Sequence, residues 1–169
     1  MANYMKIKNW DVANGEGLGV SVFFSGCDKS PKCKGCFNSE SWDFNAGKPF
    51  NPETCGKIIY LLRNPHISHL SILGGEPLAK NNLGATCNLC NMIKTLVGKK
   101  IWLWTHYKWE DLVEDVMIRY ALLPFIDVLV DGEYIEEERD LTLKWRGSKN
   151  QRVIDVSKSL GKGEVVLYE

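Results

Sequence analysis

Neither sign of charge dominates this 169-residue chain: 21 Lys and Arg stand against 21 Asp and Glu. Without a basic or acidic excess, the balance points to no nucleic-acid or membrane partner. No stretch approaches the length of a membrane span, and the opening MANYMKIKNWDV has no apolar core of signal-peptide size. Internal repeats, low-complexity tracts and linkers are missing too. Histidine is scarce, and His66, His69 and His106 have no metal-ligand spacing. What remains is an ordinary globular composition, 44% hydrophobic and 25% charged, with the expectation of one domain over residues 1–169. Six Cys without a secretory signal fit a reducing cytoplasm, where they favour metal or redox chemistry over disulfides.

Three of those Cys share one stretch, VSVFFSGCDKSPKCKGCFNSESW over residues 20–42. The apolar run Val20 to Phe24 reads as a buried strand that empties into a loop carrying Cys27, Cys33 and Cys36. Three thiols are too few for a closed structural zinc site, which takes four ligands. On a 4Fe–4S cluster they would leave one iron open for chemistry. The competing reading is zinc, because Cys33-x2-Cys36 and Cys87-x2-Cys90 make two CxxC pairs. Ribbon pairs usually lie about 15–20 residues apart, and these are far more widely separated. Cys87 and Cys90 also fall in an expected helix, where Cys90 shares an apolar stripe with Ile93 and Val97. That phase favours packing for Cys90, as does the first helical turn for Cys55.

Along the chain, residues 5–12 read as a first strand and 18–25 as a second, with the turn cluster Asn14-Gly15-Glu16-Gly17 between them. Asn51-Pro52-Glu53 opens a helix that should stop near Asn64-Pro65. A strand His69–Leu73 runs into Gly74-Gly75-Glu76-Pro77, and a helix follows over about 82–97. Lys100–Trp104 is a strand ending in Thr105-His106-Tyr107. Trp109–Tyr120 reads as one helix with Leu112, Val113, Val116, Met117 and Tyr120 on its buried side. Ile126–Val130 is a further strand, ending at Asp131-Gly132. Alternating strands and helices predict an α/β fold with right-handed crossovers and a mostly parallel sheet. The chain is too short for eight βα units, so an open, partial (β/α) barrel is expected. The C-terminal ends of parallel strands share one edge, so the Cys loop, the GGEP loop, Thr105 and Asp131 should converge on one pocket. His66 and His69 read as structural, while His106 falls on that edge.

The Gly26-Cys27 start and Cys33-Lys-Gly-Cys36-Phe37-Asn38 end of the loop resemble the cluster loop of radical S-adenosylmethionine enzymes. The usual loop is C-x3-C-x2-C, whereas the first gap here holds five residues, Asp28 to Lys32. Six residue steps span roughly 20 Å, and the added closure entropy is only about 0.4 kcal/mol, so the longer gap does not bar the mechanism. Gly74-Gly75-Glu76 after a strand resembles the GGE motif of the same superfamily. Residues 102–107, 127–134 and above all 145–152 (WRGSKNQR), with Asn14-Gly-Glu-Gly17, resemble the activating proteins of anaerobic ribonucleoside-triphosphate reductase. Thr105-His106-Tyr107 departs from the usual Thr-Gly-Tyr.

The resemblance implies a 4Fe–4S cluster on Cys27, Cys33 and Cys36, whose open iron is chelated by S-adenosylmethionine. It places the methionine amino group against Gly74, Gly75 and Glu76, with Phe37 and Asn38 beside the cofactor. It further implies that the reduced cluster cleaves S-adenosylmethionine and that a glycyl radical forms on the reductase, with a flavodoxin- or ferredoxin-type protein as electron donor. Thr105 and Asp131 are candidates for lining the pocket because they end strands on the same edge. An activase of another glycyl-radical enzyme, such as pyruvate formate-lyase, is the alternative within the superfamily; a zinc module is the alternative outside it.

Overall fold

The computed structural model describes residues 1–169. β1 (Asn3–Asp11) runs antiparallel to β2 (Gly19–Phe24), and the two-residue β3 (Lys48–Pro49) pairs with the start of β1. α1 (Pro52–Leu62) leads to β4 (His69–Gly74), and α2 (Lys80–Leu96) leads to β5 (Lys100–Trp104). α3 (Trp109–Glu114) and α4 (Val116–Ala121) precede β6 (Val128–Asp131), and the chain ends with β7 (Arg152–Asp155) and α5 (Val156–Lys162). The strand order is β3-β1-β2-β4-β5-β6-β7.

The α/β class is as expected, but the sheet is mixed. Only the β2/β4, β4/β5 and β5/β6 pairings are parallel. The outer β1/β2, β1/β3 and β6/β7 pairings are antiparallel. The connections explain the split. A parallel return needs a crossover, usually a helix, and helices stand only between the central strands. The turn from β1 to β2 is too short for one, and no α-helix lies between β6 and β7.

Side-chain caps open three of the five helices, α1, α4 and α5. Asn51 caps α1, its side chain accepting from the Thr54 backbone N–H at 2.9 Å, with Pro52 at the first helical position. The expected single helix over 109–120 is instead two. Asp115 is extended (φ −75°, ψ 111°), and its carboxylate accepts from the Ile118 backbone N–H at 2.9 Å, capping α4. The break rotates the second half. Ile118 turns into the core, while Val116 and Tyr120, expected inside, are 72% and 68% exposed.

Strand alternation gives the sheet two unlike faces. Val20, Val22, Phe24, Leu70, Ile72, Ile101, Leu103, Leu129 and Ile154 point to the side where all five helices pack, forming the main core. The opposite face carries Ser21, Phe23, Ser71, Leu73, Trp102, Trp104, Val128, Val130 and Val153. No helix covers it. Trp145 and Tyr168 pack there against Trp102, with ring centroids 4.9 and 5.2 Å away. The unfilled part of this face is the floor of the candidate site. No helix of the chain is long and apolar enough to cross a membrane.

Candidate functional site

β2 ends at Phe24, and the chain turns through Gly26, whose φ of 90° suits a residue without Cβ. The Gly26 N–H donates to Ser41 O at 2.7 Å and the Cys27 N–H to Trp42 O at 3.1 Å, folding the Cys loop back on itself. The Cys36 N–H closes a tight turn onto Cys33 O at 3.3 Å. Cys27, Cys33 and Cys36 carry free thiols and line one cavity of about 610 Å³. Burial pushes the Cys27 and Cys33 thiols up. At Cys33 the Lys29 ammonium and a hydrogen bond with the Tyr134 backbone work against that burial.

The GGEP loop meets the Cys loop backbone to backbone. Gly75 N–H donates to Phe24 O at 2.8 Å, and Glu76 N–H donates to Gly26 O at 2.7 Å. A Cβ on Gly75 would strike the Gly26 carbonyl and lie 2.8 Å from Ser41 O. Gly74 has φ 118°, and a Cβ there would lie 2.5 Å from Phe24 N. Both glycines line the cavity, yet the room a side chain would take is filled by the neighbouring backbone.

Glu76 is 1% exposed. Its Oε1 accepts from the Leu78 N–H and the Thr105 hydroxyl, both at 2.9 Å, and its Oε2 accepts from the His106 N–H at 2.8 Å. Burial pushes this carboxyl up from its ordinary value against those donors and against nearby His106. The buried Asn82 side chain donates to Glu76 O and Ser25 O, each at 2.9 Å, tying the two loops from behind. Glu76 thus clamps the end of β4 to the end of β5.

Of the residues expected at the pocket, Cys27, Cys33, Cys36, Phe37, Asn38, Gly74, Gly75, Glu76 and Thr105 all border the cavity. Asp131 does not. Its carboxylate accepts from Arg152 Nε at 3.0 Å and the Trp109 N–H at 2.8 Å, on the helix side of the sheet. The cause is alternation: Val128 and Val130 face the cavity side, so Leu129 and Asp131 face the helices. Gly132, the next residue, is the one that reaches the cavity.

Several contributors were not among the expected site residues. Ala13 and Asn14 line the cavity because buried Asp11 holds their turn, accepting from Ala13 N–H at 3.0 Å and Asn14 Nδ2 at 2.6 Å. Part of the 145–152 string, Trp145, Arg146, Gly147 and Gln151, forms one wall. Trp145 has φ 62°, an uncommon value for a bulky residue, and its carbonyl accepts from Trp104 Nε1 at 2.7 Å. His106 and Tyr107 reach the Cys loop, both bonding to Asp28. The unbroken apolar run Ile101–Trp104 of β5, with no polar side, was a signal that both faces of the sheet are covered.

The donor set fits a three-thiolate group and not the two-pair zinc site. Cys90 is sealed in the main core with Leu89 and Ile93, Cys55 is buried on α1, and Cys87 lies on α2. The three potential ligand atoms that come within 4.8 Å of one another belong to Cys27, Asp28 and His106, with no second CxxC pair among them.

A family model described as a 4Fe-4S single cluster domain matches residues 13–154. Anaerobic ribonucleoside-triphosphate reductase-activating proteins match over most of their length. That of Vibrio cholerae is 42% identical over 152 residues, covering 88% of this chain and 95% of the relative. The chain belongs to this activating-protein family. The Haemophilus influenzae member is 40% identical over the same shares of both chains, and the phage T4 member is 38% identical over 89% of this chain and 92% of its own. The family model is described by a 4Fe-4S cluster, and the relatives are named for activating anaerobic ribonucleoside-triphosphate reductase.

Proposed function

We propose that this chain is an activase that binds a 4Fe–4S cluster through Cys27, Cys33 and Cys36, and S-adenosylmethionine against Gly74, Gly75 and Glu76. In this reading it generates the glycyl radical of anaerobic (class III) ribonucleoside-triphosphate reductase. One observation carries the reading: three free thiols of one loop and the GGE backbone face a single cavity where parallel strands end. That convergence also supports a radical S-adenosylmethionine type of open, partial barrel, built as one domain over residues 1–169. A cytoplasmic setting, with a flavodoxin- or ferredoxin-type donor, suits six free Cys.

When bound, the cluster and S-adenosylmethionine supply one-electron cleavage and the hydrogen-atom abstraction from glycine. The chain's own residues supply placement. Gly74 and Gly75 keep backbone close to the Cys loop, so a ligand's amino and carboxylate groups meet peptide groups rather than side chains. Glu76, saturated by Leu78, Thr105 and His106, holds that loop rigid. Phe37 and Asn38 line the wall next to Cys36. The helix-free face, floored by Phe23, Leu73 and Trp104, gives apolar shelter from water and room for a glycine-bearing segment.

Anaerobic reconstitution of six single Cys→Ala variants, with iron and sulfide counted per chain, tests the assignment. Cys27→Ala, Cys33→Ala and Cys36→Ala should lose the cluster, while Cys55→Ala, Cys87→Ala and Cys90→Ala should keep it. Equal loss in Cys87→Ala or Cys90→Ala would overturn it.

A further inference from the structure

The first gap of the Cys loop is two residues longer than the usual spacing, and nothing above gives its charges a role. Its first two residues are tied to different strand ends. Tyr107 Oη donates to Asp28 Oδ2 at 2.6 Å, and His106 Nε2 lies 3.0 Å from Asp28 Oδ1, both from the loop after β5. Lys29 Nζ pairs with Glu133 Oε2 at 2.5 Å, in the loop after β6. The gap therefore bridges two loops and lays the Lys29 side chain, only 17% exposed, along the wall of the cavity that Cys27 and Cys33 also line.

We propose that the long gap serves to fix the Lys29 ammonium in the cavity that Cys27 and Cys33 line, where it sets the reduction potential of the cluster they hold. The proposal rests on the cluster assignment above. Reduction adds one electron from an external one-electron reductant and takes up no proton, so the site gains one negative charge. A fixed cation in the same cavity stabilises that charge and raises the potential. Glu133 does not cancel the effect. Its carboxylate is the more exposed partner, 46% against 17% for Lys29, so solvent screens it more strongly.

The test is a dithionite titration of the reconstituted protein followed by electron paramagnetic resonance, with iron and sulfide counted in each sample. Lys29→Met and Lys29→Gln should both take up a full cluster and show a lower midpoint potential than wild type. Lys29→Arg should restore the wild-type value. A neutral variant with an unshifted potential overturns the proposal, as does an Arg variant shifted like the neutral ones. Loss of the cluster in both neutral variants overturns it too, since Lys29 would then be a loading residue. A wild-type chain that holds no cluster contradicts the assignment beneath, and the proposal falls with it.

Discussion

Gly75 packs so near the Gly26 carbonyl that a Cβ on it would strike that oxygen. The GGE loop and the Cys loop are therefore one packed unit, closed by the Glu76 N–H donating to Gly26 O at 2.7 Å. Gly75→Ala should push the two loops apart and lower cluster content and melting temperature together. An overpacking penalty of about 1–3 kcal/mol corresponds to a drop of roughly 2–12 °C at this chain length. Iron per chain and thermal unfolding, compared with wild type, check it. A variant that keeps both and loses only S-adenosylmethionine binding contradicts this packing.

Glu76→Gln should uncouple β4 from β5. The amide keeps one acceptor for Leu78 and Thr105 but turns a donor toward the His106 N–H, leaving that buried group unpaired at about 1–3 kcal/mol. Because burial raises the Glu76 carboxyl above its ordinary 4.5, the folded wild type binds a proton that the unfolded chain has released. Its stability at this group is therefore fully present below pH 4.5 and declines as pH rises through the folded value. Denaturant unfolding across that range should show the decline in wild type and lose it in the variant.

Asp11 behaves in the opposite sense. Burial pushes its carboxyl up, but donors from Ser21, Ala13, Asn14 and Lys8 overcome that and hold it far below the ordinary 3.8. Its contribution is present above pH 3.8 and is lost as pH falls through the depressed value. Asp11→Asn should cost about 1–3 kcal/mol near neutrality, and the gap from wild type should close on acidification. The same variant should loosen Ala13 and Asn14 at the cavity.

These networks show where sequence reading stops. The Asn51-Pro52 helix start, the strand–loop positions of the three Cys and GGEP, and the packing roles of Cys55 and Cys90 were all legible, since each depends on residues close in the chain. The break at Asp115 was hidden because apolar spacing continues across it, and only the cap onto Ile118 reveals the second helix. Asp131 was placed by its strand end alone, when counting alternation from Val130 would have turned it toward Trp109 and Arg152. The antiparallel β7 starts at Arg152, the last residue of a string read as a family mark, and four residues are too few to carry a periodic signal. The Asp28 contacts with His106 and Tyr107 join positions nearly eighty residues apart, beyond any local pattern.

Arg152→Met should leave the Asp131 carboxylate, 2% exposed, without its cation and break the link to Glu110. Removing one partner of a fully buried pair costs about 3–5 kcal/mol, and since Arg152 keeps 32% of its side chain exposed, about 2 kcal/mol is expected here. Chemical denaturation should show the loss while iron content holds, because this pair lies on the helix side of β6. Cluster loss without destabilisation would contradict that placement.

The central claim is that the three-thiol loop and the GGE loop form one radical-generating site directed at the anaerobic reductase. Its most direct test is electron paramagnetic resonance of the reductase after anaerobic incubation with the reconstituted chain, reductant and S-adenosylmethionine. A glycyl-radical doublet on the reductase is the predicted result, absent without S-adenosylmethionine and absent with Cys33→Ala. A doublet on pyruvate formate-lyase and none on the reductase, or no radical from a fully loaded cluster, would contradict the claim.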